Sequence, residues 1–322
     1  MKEAVIGFDT SNYRTSVAAV DMDGNILINR RELLKVAHGE TGLRQSDAVF
    51  AHIRQLPEVC RALRDIPDEY RVAATAVSVS PADGEKSYMP VFQAGICTAD
   101  ALSACLKVPC FKTTHQRGHI AAAIHGTDLE DEKSFLAFHL SGGTTDLMAC
   151  TDGDIDLLGK SADLHAGQLV DRAGVSMGLP FPSGPALEEL AVRGHSEARL
   201  GSSLEKGDLI CHLSGAETQV QRWIHKGVLP HEDIALEIYD LLARTFSRML
   251  CAASQKTSLK KALIAGGIAG SDLFRRMLSE RCRKNRNAPE LYFGKPQLSG
   301  DNAVGVALIG VKKLKQERGI GS

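Results

Sequence analysis

A short apolar strand that runs into a polar, hydroxyl-bearing tip and doubles back occurs twice in this chain. AVIGFD (4–9) turns through TSNYR into TSVAAVD (15–21). FLAFHLSGG (135–143) turns through its glycines into TDLMACTDG (145–153). Apolar runs of this length bounded by turn residues read as paired strands, and Asp23-Gly24 marks a further turn. After the first hairpin, RVAATAVSVS (71–80) reads as a buried strand, about 90–107 as a helix and VPCFKT (108–113) as a strand. After the second, KALIAGGIAG (261–270) reads as a strand ending in glycines and SDLFRRMLSERCRK as a helix. LYFG reads as a short strand and DNAVGVALIGVKKL as a closing helix. No strict sequence repeat is visible, yet both halves begin alike and continue as mixed α/β sequence. The 322 residues suit two domains on the usual prior of ~150 each. The most polar stretch between the halves, GTDLEDEKS (126–134), is the expected boundary, with domains at 1–130 and 131–322.

Composition removes several function classes. The 43% hydrophobic and 24% charged content is ordinary for a globular protein. No apolar run approaches the ~20 residues of a membrane span, so no membrane partner is expected. The first residues enter a strand directly, so no signal peptide is expected. Eight cysteines include no CxxC pair, and a reducing, cytoplasmic location follows as the expectation. Cys97, Cys105 and Cys110 read as small core residues. A net charge of -1 argues against a globally basic nucleic-acid binder, and DNA is not expected as a partner. Local basic stretches remain: Arg275, Arg276, Arg281, Arg283, Lys284, Arg286 and the tail KKLKQERGIGS. They read as solvated helix faces, and a tRNA-binding role would need them clustered in space.

Three loops have the composition of phosphate cradles: DTSN (9–12), SGGTTD (141–146) and AGGIAGS (265–271). Glycine lets backbone approach a phosphate closely, and exposed N–H groups then donate to it. Thr10, Ser11, Thr144 and Thr145 add hydroxyl donors, and the third loop opens a helix whose N-terminus favours anions. Each loop alone reads as a tight turn. A separate feature is TTHQRGH (113–119). His115 and His119 are four apart and share one helix face, which fits either a solvated helix or a His-x-x-x-His metal site.

Taken together and in this order, the three loops resemble the phosphate-1, phosphate-2 and adenosine motifs of the actin, Hsp70 and hexokinase (ASKHA) superfamily. That resemblance implies an α/β protein of two related domains with a nucleotide cleft between them. The stretch DLHAGQLVDRAGVSMGLPFPSGPALEELA (163–191) is similar to the segment after phosphate-2 in the tRNA threonylcarbamoyladenosine transferase family, also called glycoprotease-like. HQRGH matches that family's H-x-E-G-H, and GDNAVGVALIG (300–310) matches its terminal DN motif. The resemblance implies one divalent metal, iron or zinc, held by His115, His119 and Asp301, which decides the histidine question in favour of metal. It implies an adenine nucleotide, ATP or an AMP adduct. Thr10, Ser11, Ser141, Gly142, Gly143 and Thr144 would lie at its phosphates, Asp171 and Gly184 at the ribose or adenine, and Gly266, Gly267 and Ser271 beside the nucleoside. Asp9 and Arg14 are the expected catalytic pair. tRNA and partner proteins of the same pathway are the expected macromolecular partners.

The chain departs from the family at its first loop. DTSNYRT stands for E-T-S-C-D-E-T, so Tyr13 and Arg14 replace two acids. SGGTT stands for SGGHT, Ser271 for an asparagine, and 80–95 lacks the family's glycine-rich form. These changes mark a diverged member. The family reaction moves a threonylcarbamoyl group from its AMP adduct to a tRNA adenosine, which needs positioning and charge stabilisation rather than a covalent nucleophile. Proteolysis is disfavoured because Gln116 stands where an HExxH protease carries its general base. Two other readings remain open: an ATP-dependent kinase or ATPase using magnesium, Asp146 and Asp9, and a non-catalytic nucleotide-binding paralogue that supports a transferase complex.

Overall fold

The computed structural model describes residues 1–11, 14–34, 44–84, 87–195, 199–201, 203–205, 207–298 and 300–320. Residues 1–125 and 300–322 make one compact unit, and 126–299 make the other.

In the first unit, β1 (Lys2–Asp9), β2 (Arg14–Asp21) and β3 (Ile26–Leu33) form an antiparallel meander. α1 (Gln45–Cys60) leads to β4 (Tyr70–Ser78), and α2 (Phe92–Leu106) leads to β5 (Cys110–Thr113). β4 and β5 continue the sheet in parallel, in the order β3-β2-β1-β4-β5. β1 and β2 are almost wholly buried because their apolar residues face layers on both sides of the sheet. α3 (His115–Ile124) begins directly after β5, where the Thr114 hydroxyl accepts the Arg117 N–H as an N-cap.

The second unit starts with a second meander of β6 (Ser134–Leu140), β7 (Thr145–Thr151) and β8 (Asp154–Ser161). α4 (Ala166–Ser176) and α5 (Gly184–Ala191) follow, then β9 (Ser203–Leu204), β10 (Ile210–His212), α6 (Ser214–Lys226) and the long α7 (His231–Thr257). β11 (Lys261–Ala265), α8 (Asp272–Arg283) and β12 (Glu290–Phe293) complete it. Its sheet runs β12-β11-β6-β7-β8-β10-β9, with β11 and β12 parallel to β6. α7 is buried on nearly all sides and anchors a core of Phe138, Phe246 and Phe274.

The doubled hairpin and all the assigned strands and helices are present. Three expectations need correction. The last helix, α9 (Val304–Glu317), packs on β1, β2 and β4, so 300–322 belongs with the N-terminal half rather than with 131–299. Gly7 permits this: a Cβ there would meet the Ala303 carbonyl at 2.5 Å and the Ala307 nitrogen at 2.7 Å. Cys97 and Cys105 are exposed and Cys110 half-buried, because they sit on surface-facing positions of α2 and β5. Arg275 and Arg281 are not merely solvated: Arg275 lies over the Phe293 ring and donates to the Gly294 carbonyl, and Arg281 pairs with Asp240. No helix among the described residues is long and apolar enough to cross a membrane.

Candidate metal centre

Two strand ends of the first sheet and the segment before α9 bring side chains to one point. β1 ends at Asp9, α3 follows β5 with His115 and His119 one turn apart, and Asp301 precedes α9. α3 is fixed by backbone bonds from His115 N to Ser80 O and from Gln116 N to Pro81 O, both 2.9 Å. α3 and α9 touch through glycine: a Cβ on Gly305 would overlap the Gly118 carbonyl, so only glycine lets these helices close.

The result is a compact donor set. Potential ligand atoms of His115, His119 and Asp301 all lie within 4.8 Å of one another. His115 Nε2 and His119 Nε2 face each other at 2.8 Å, and Asp301 Oδ1 is 3.2 Å from His119 Nε2 and 3.8 Å from His115 Nε2. Asp9 stands behind His115, its Oδ2 2.7 Å from Nδ1, and its Oδ1 accepts the Ser11 N–H at 2.8 Å. A carboxylate only accepts, so Nδ1 donates to it, and in the neutral ring this leaves the lone pair on Nε2, facing the cluster. Burial opposes charge on both partners of this pair. Their mutual attraction outweighs it, holding Asp9 below and His115 above the usual range. Asp301 is also held ionised: burial works against it, but the hydrogen bond from His119 and the charges of His119, His115 and Arg14 prevail. Two imidazoles and one carboxylate, with an outer carboxylate orienting the first imidazole, fit a single zinc or iron ion.

The other residues of the first loop divide. The Thr10 hydroxyl donates to the Val91 carbonyl at 2.9 Å and accepts the Gly95 N–H at 3.1 Å, so it is occupied in pinning α2. The Ser11 hydroxyl is buried with no partner among the described residues. Arg14 reaches toward Gly300, beside Asp301. Tyr13 lies outside the described residues.

In the second unit, the two glycine loops meet at the carboxyl ends of adjacent parallel strands. Ala265 pairs with His139, and Gly266 sits against the Leu140 carbonyl at φ +97°, a position that demands glycine. Ser141 N donates to Thr144 O, and Gly143 N approaches the Ser141 hydroxyl at 3.3 Å. The start of α4 abuts this loop: Gly167 N donates to Ser141 O, and Ala166 N donates to the buried Thr145 hydroxyl. Gly142, Gly143 and Gly267 have no atom within 4 Å of an added Cβ, so their outer faces are open. Asp171 accepts the Ser183 N–H at 2.8 Å, and burial pushes its carboxyl up. Gly184 opens α5, its carbonyl accepting the Tyr239 hydroxyl at 3.1 Å. Ser271 is the N-cap of α8, its hydroxyl accepting the Phe274 N–H. The residue missed from the sequence is Arg31, whose guanidinium also reaches Gly300; it lies in β3, a polar strand with no motif to flag it.

Comparisons with known proteins give the family and the fold. The tRNA N6-adenosine threonylcarbamoyltransferase of Aromatoleum aromaticum is 30% identical over 316 residues, covering 95% of this chain and 90% of the relative. That of Chromobacterium violaceum is 27% identical over 97% of this chain and 93% of the relative. A probable bifunctional tRNA threonylcarbamoyladenosine biosynthesis protein of Methanocaldococcus jannaschii is 25% identical over 97% of this chain and 56% of its own length. Among solved structures, component A of the Acidaminococcus fermentans (R)-2-hydroxyglutaryl-CoA dehydratase aligns with TM-score 0.57 at 16% identity, covering 96% of this chain and 98% of that one. A ROK family glucokinase from Streptomyces griseus aligns with TM-score 0.55 at 12% identity over 95% and 98% of the two chains. These structural likenesses establish the actin/Hsp70/hexokinase-like fold. The sequence model of the tRNA N6-adenosine threonylcarbamoyltransferases spans residues 89–308, more than half of the chain, and the chain belongs to that family.

Proposed function

We propose that this protein is a tRNA-modifying transferase that moves a threonylcarbamoyl group from its AMP adduct to the exocyclic amine of a tRNA adenosine. The observation that supports this reading best is the convergence of His115, His119 and Asp301, with Asp9 behind, in a member of this family. In the reaction the amine nitrogen bonds to the carbamoyl carbon, the anhydride C–O bond breaks, AMP departs with the oxygen, and the amine loses a proton. His115, His119 and Asp301 would hold one iron or zinc ion. When bound, such an ion supplies Lewis-acid stabilisation of a phosphate or carbonyl oxygen. Asp9 is a positioning residue: it fixes the His115 ring and tautomer and is itself fully buried. Ser141, Gly142, Gly143 and Thr144 would present backbone and hydroxyl donors to the adenine nucleotide's phosphates near the start of α4. Asp171, Gly184, Gly266 and Gly267 would line its nucleoside end. No thiol is needed, and burial pushes Cys60 and Cys211 up to about 11, leaving them neutral.

A magnesium-dependent phosphotransfer is the weaker reading. It needs Asp9 as a metal partner, yet both Asp9 oxygens are already bonded. It also needs an ionised Asp146, whose carboxyl burial pushes up despite His165 and Lys160. Proteolysis lacks its base at Gln116. The test is modification of tRNA by the purified chain with threonylcarbamoyl-AMP and zinc or iron, alone and with partner proteins of the pathway. Modified adenosine that disappears in His119→Ala is expected. Its absence in every combination, with magnesium-dependent ATP turnover present, would favour phosphotransfer.

A further inference from the structure

Arg14 and Arg31 converge beside the metal-ligand cluster. Arg14 pairs with Leu33 and Ser16 with Arg31 across β2 and β3, so the arginines are diagonal neighbours on one face of the sheet. Long side chains reach each other across such a diagonal. Both point at Gly300: a Cβ there would lie 3.0 Å from Arg14 Nη1 and 3.6 Å from Arg31 Nη1. Gly300 precedes Asp301, and both arginines are half-buried. Asp301 is the carboxylate that acts on both, and its single charge is shared with the two histidines. Among the described residues neither guanidinium is in an ion pair; Glu32 is taken by Arg30, and Asp301 bonds to His119. Burial and the Arg14 charge hold Arg31 below its usual range, with Asp301 offsetting only part.

Two half-buried guanidiniums that repel each other, with free donors aimed at one point, match an oxyanion better than any other ligand, because a planar fork meets two oxygens at once. Solvated surface arginines would splay apart; these meet over a residue without a side chain. We propose that Arg14 and Arg31 form an oxyanion site next to His115, His119 and Asp301, and that it takes a carboxylate or phosphate of the acyl donor. The donor's identity rests on the transferase reading, while the anion site stands on the geometry alone.

The test uses the full chain loaded with zinc. Inorganic phosphate and N-carbamoyl-L-threonine are titrated separately by calorimetry into the parent, Arg31→Gln, Arg14→Gln and the charge-keeping Arg31→Lys. Metal content and thermal midpoint are measured for each. At least one anion should bind the parent and lose tenfold or more of its affinity in each Gln variant, with zinc retained; Arg31→Lys should fall between. Phosphate as the responsive anion assigns the site to the phosphoryl end of the donor, and carbamoylthreonine to its carboxylate. Anion affinity indifferent to both Gln variants, as binding on the 141–144 loop would give, overturns the inference. So does a parent that binds neither anion. If anion binding responds to the arginines but no tRNA is modified, the transferase reading fails and the site stands. If tRNA is modified while affinity ignores both arginines, the site fails alone.

Discussion

In both units an antiparallel meander is extended by two parallel strands: β3-β2-β1-β4-β5 in the first, β8-β7-β6-β11-β12 in the second. The same strand ends serve different chemistry. In the first unit, glycines are packing devices. Gly7, Gly118 and Gly305 face backbone or side chains with no room for more, and the closeness they allow brings Asp9, His115, His119 and Asp301 together. In the second unit, Gly142, Gly143 and Gly267 face open space and leave backbone exposed. One topology thus gathers side chains where glycine is buried and leaves backbone exposed where glycine is open.

The sharpest break of that comparison is a glycine exchange in each unit. Gly305→Val should force α3 and α9 apart, cost about 3 kcal/mol by overpacking and abolish zinc binding. Gly143→Ala, into open space, should melt within about 0.5 kcal/mol of the parent. Urea unfolding and metal analysis read both, and equal stability of the two variants would refute the contrast.

Next in size is loss of ligands. His119→Ala and Asp301→Asn should each weaken zinc affinity at least a hundredfold, and Asp9→Asn about ten- to a hundredfold through the freed His115 ring. Adenine-nucleotide affinity should be unaffected in all three. Competition with a chromophoric chelator measures the first effect, and zinc affinity unchanged in Asp301→Asn would remove it from the ligand set.

The converse belongs to the second unit. Gly143→Val should weaken ATP or AMP binding by about tenfold, since a branched side chain blocks close backbone approach, while zinc affinity stays put. Calorimetry that finds nucleotide affinity intact would count against the loop as a phosphate cradle.

The smallest effect concerns how the first unit is closed by its last helix. Glu3 accepts from Arg318 at the end of α9 and from Arg71 on β4. The hydrogen bond from Arg318, against a smaller cost of burial, holds its carboxyl below the usual range. Its folded value is depressed, so its stabilisation is present above the ordinary glutamate range and lost as pH falls through the folded value. Glu3→Gln should cost at most about 1 kcal/mol at pH 7, less at high salt, and nothing well below pH 4. A pH-independent loss would place the effect in packing instead.

Much of this was legible before the structure. The paired hairpins announce themselves through apolar runs closing on polar tips, and the His115–His119 spacing puts both rings on one helix face. β3 was not legible because ILINRREL is half-exposed and charged, so Arg31 carried no signal. α7 was not, because a helix buried on nearly every side, Glu237 and Tyr239 included, loses the 3.6-residue alternation that marks an amphipathic one. The exposure of Cys97 and Cys105 was misread because apolar neighbours in sequence need not be neighbours in the core.

The sequence by itself determined the doubled α/β plan, through local periodicity, and the family, through motifs at fixed short spacings; His115, His119 and Asp301 became candidate ligands through the family resemblance those motifs carry. Only the tertiary structure decided that the C-terminal segment returns to the first unit and seats Asp301 against a histidine pair more than 180 residues earlier. It alone placed Asp9 behind His115 and Arg31 beside Arg14. Such contacts join residues far apart in the chain, and they exist because close-packed glycines let particular helices and strands approach, which no local pattern records.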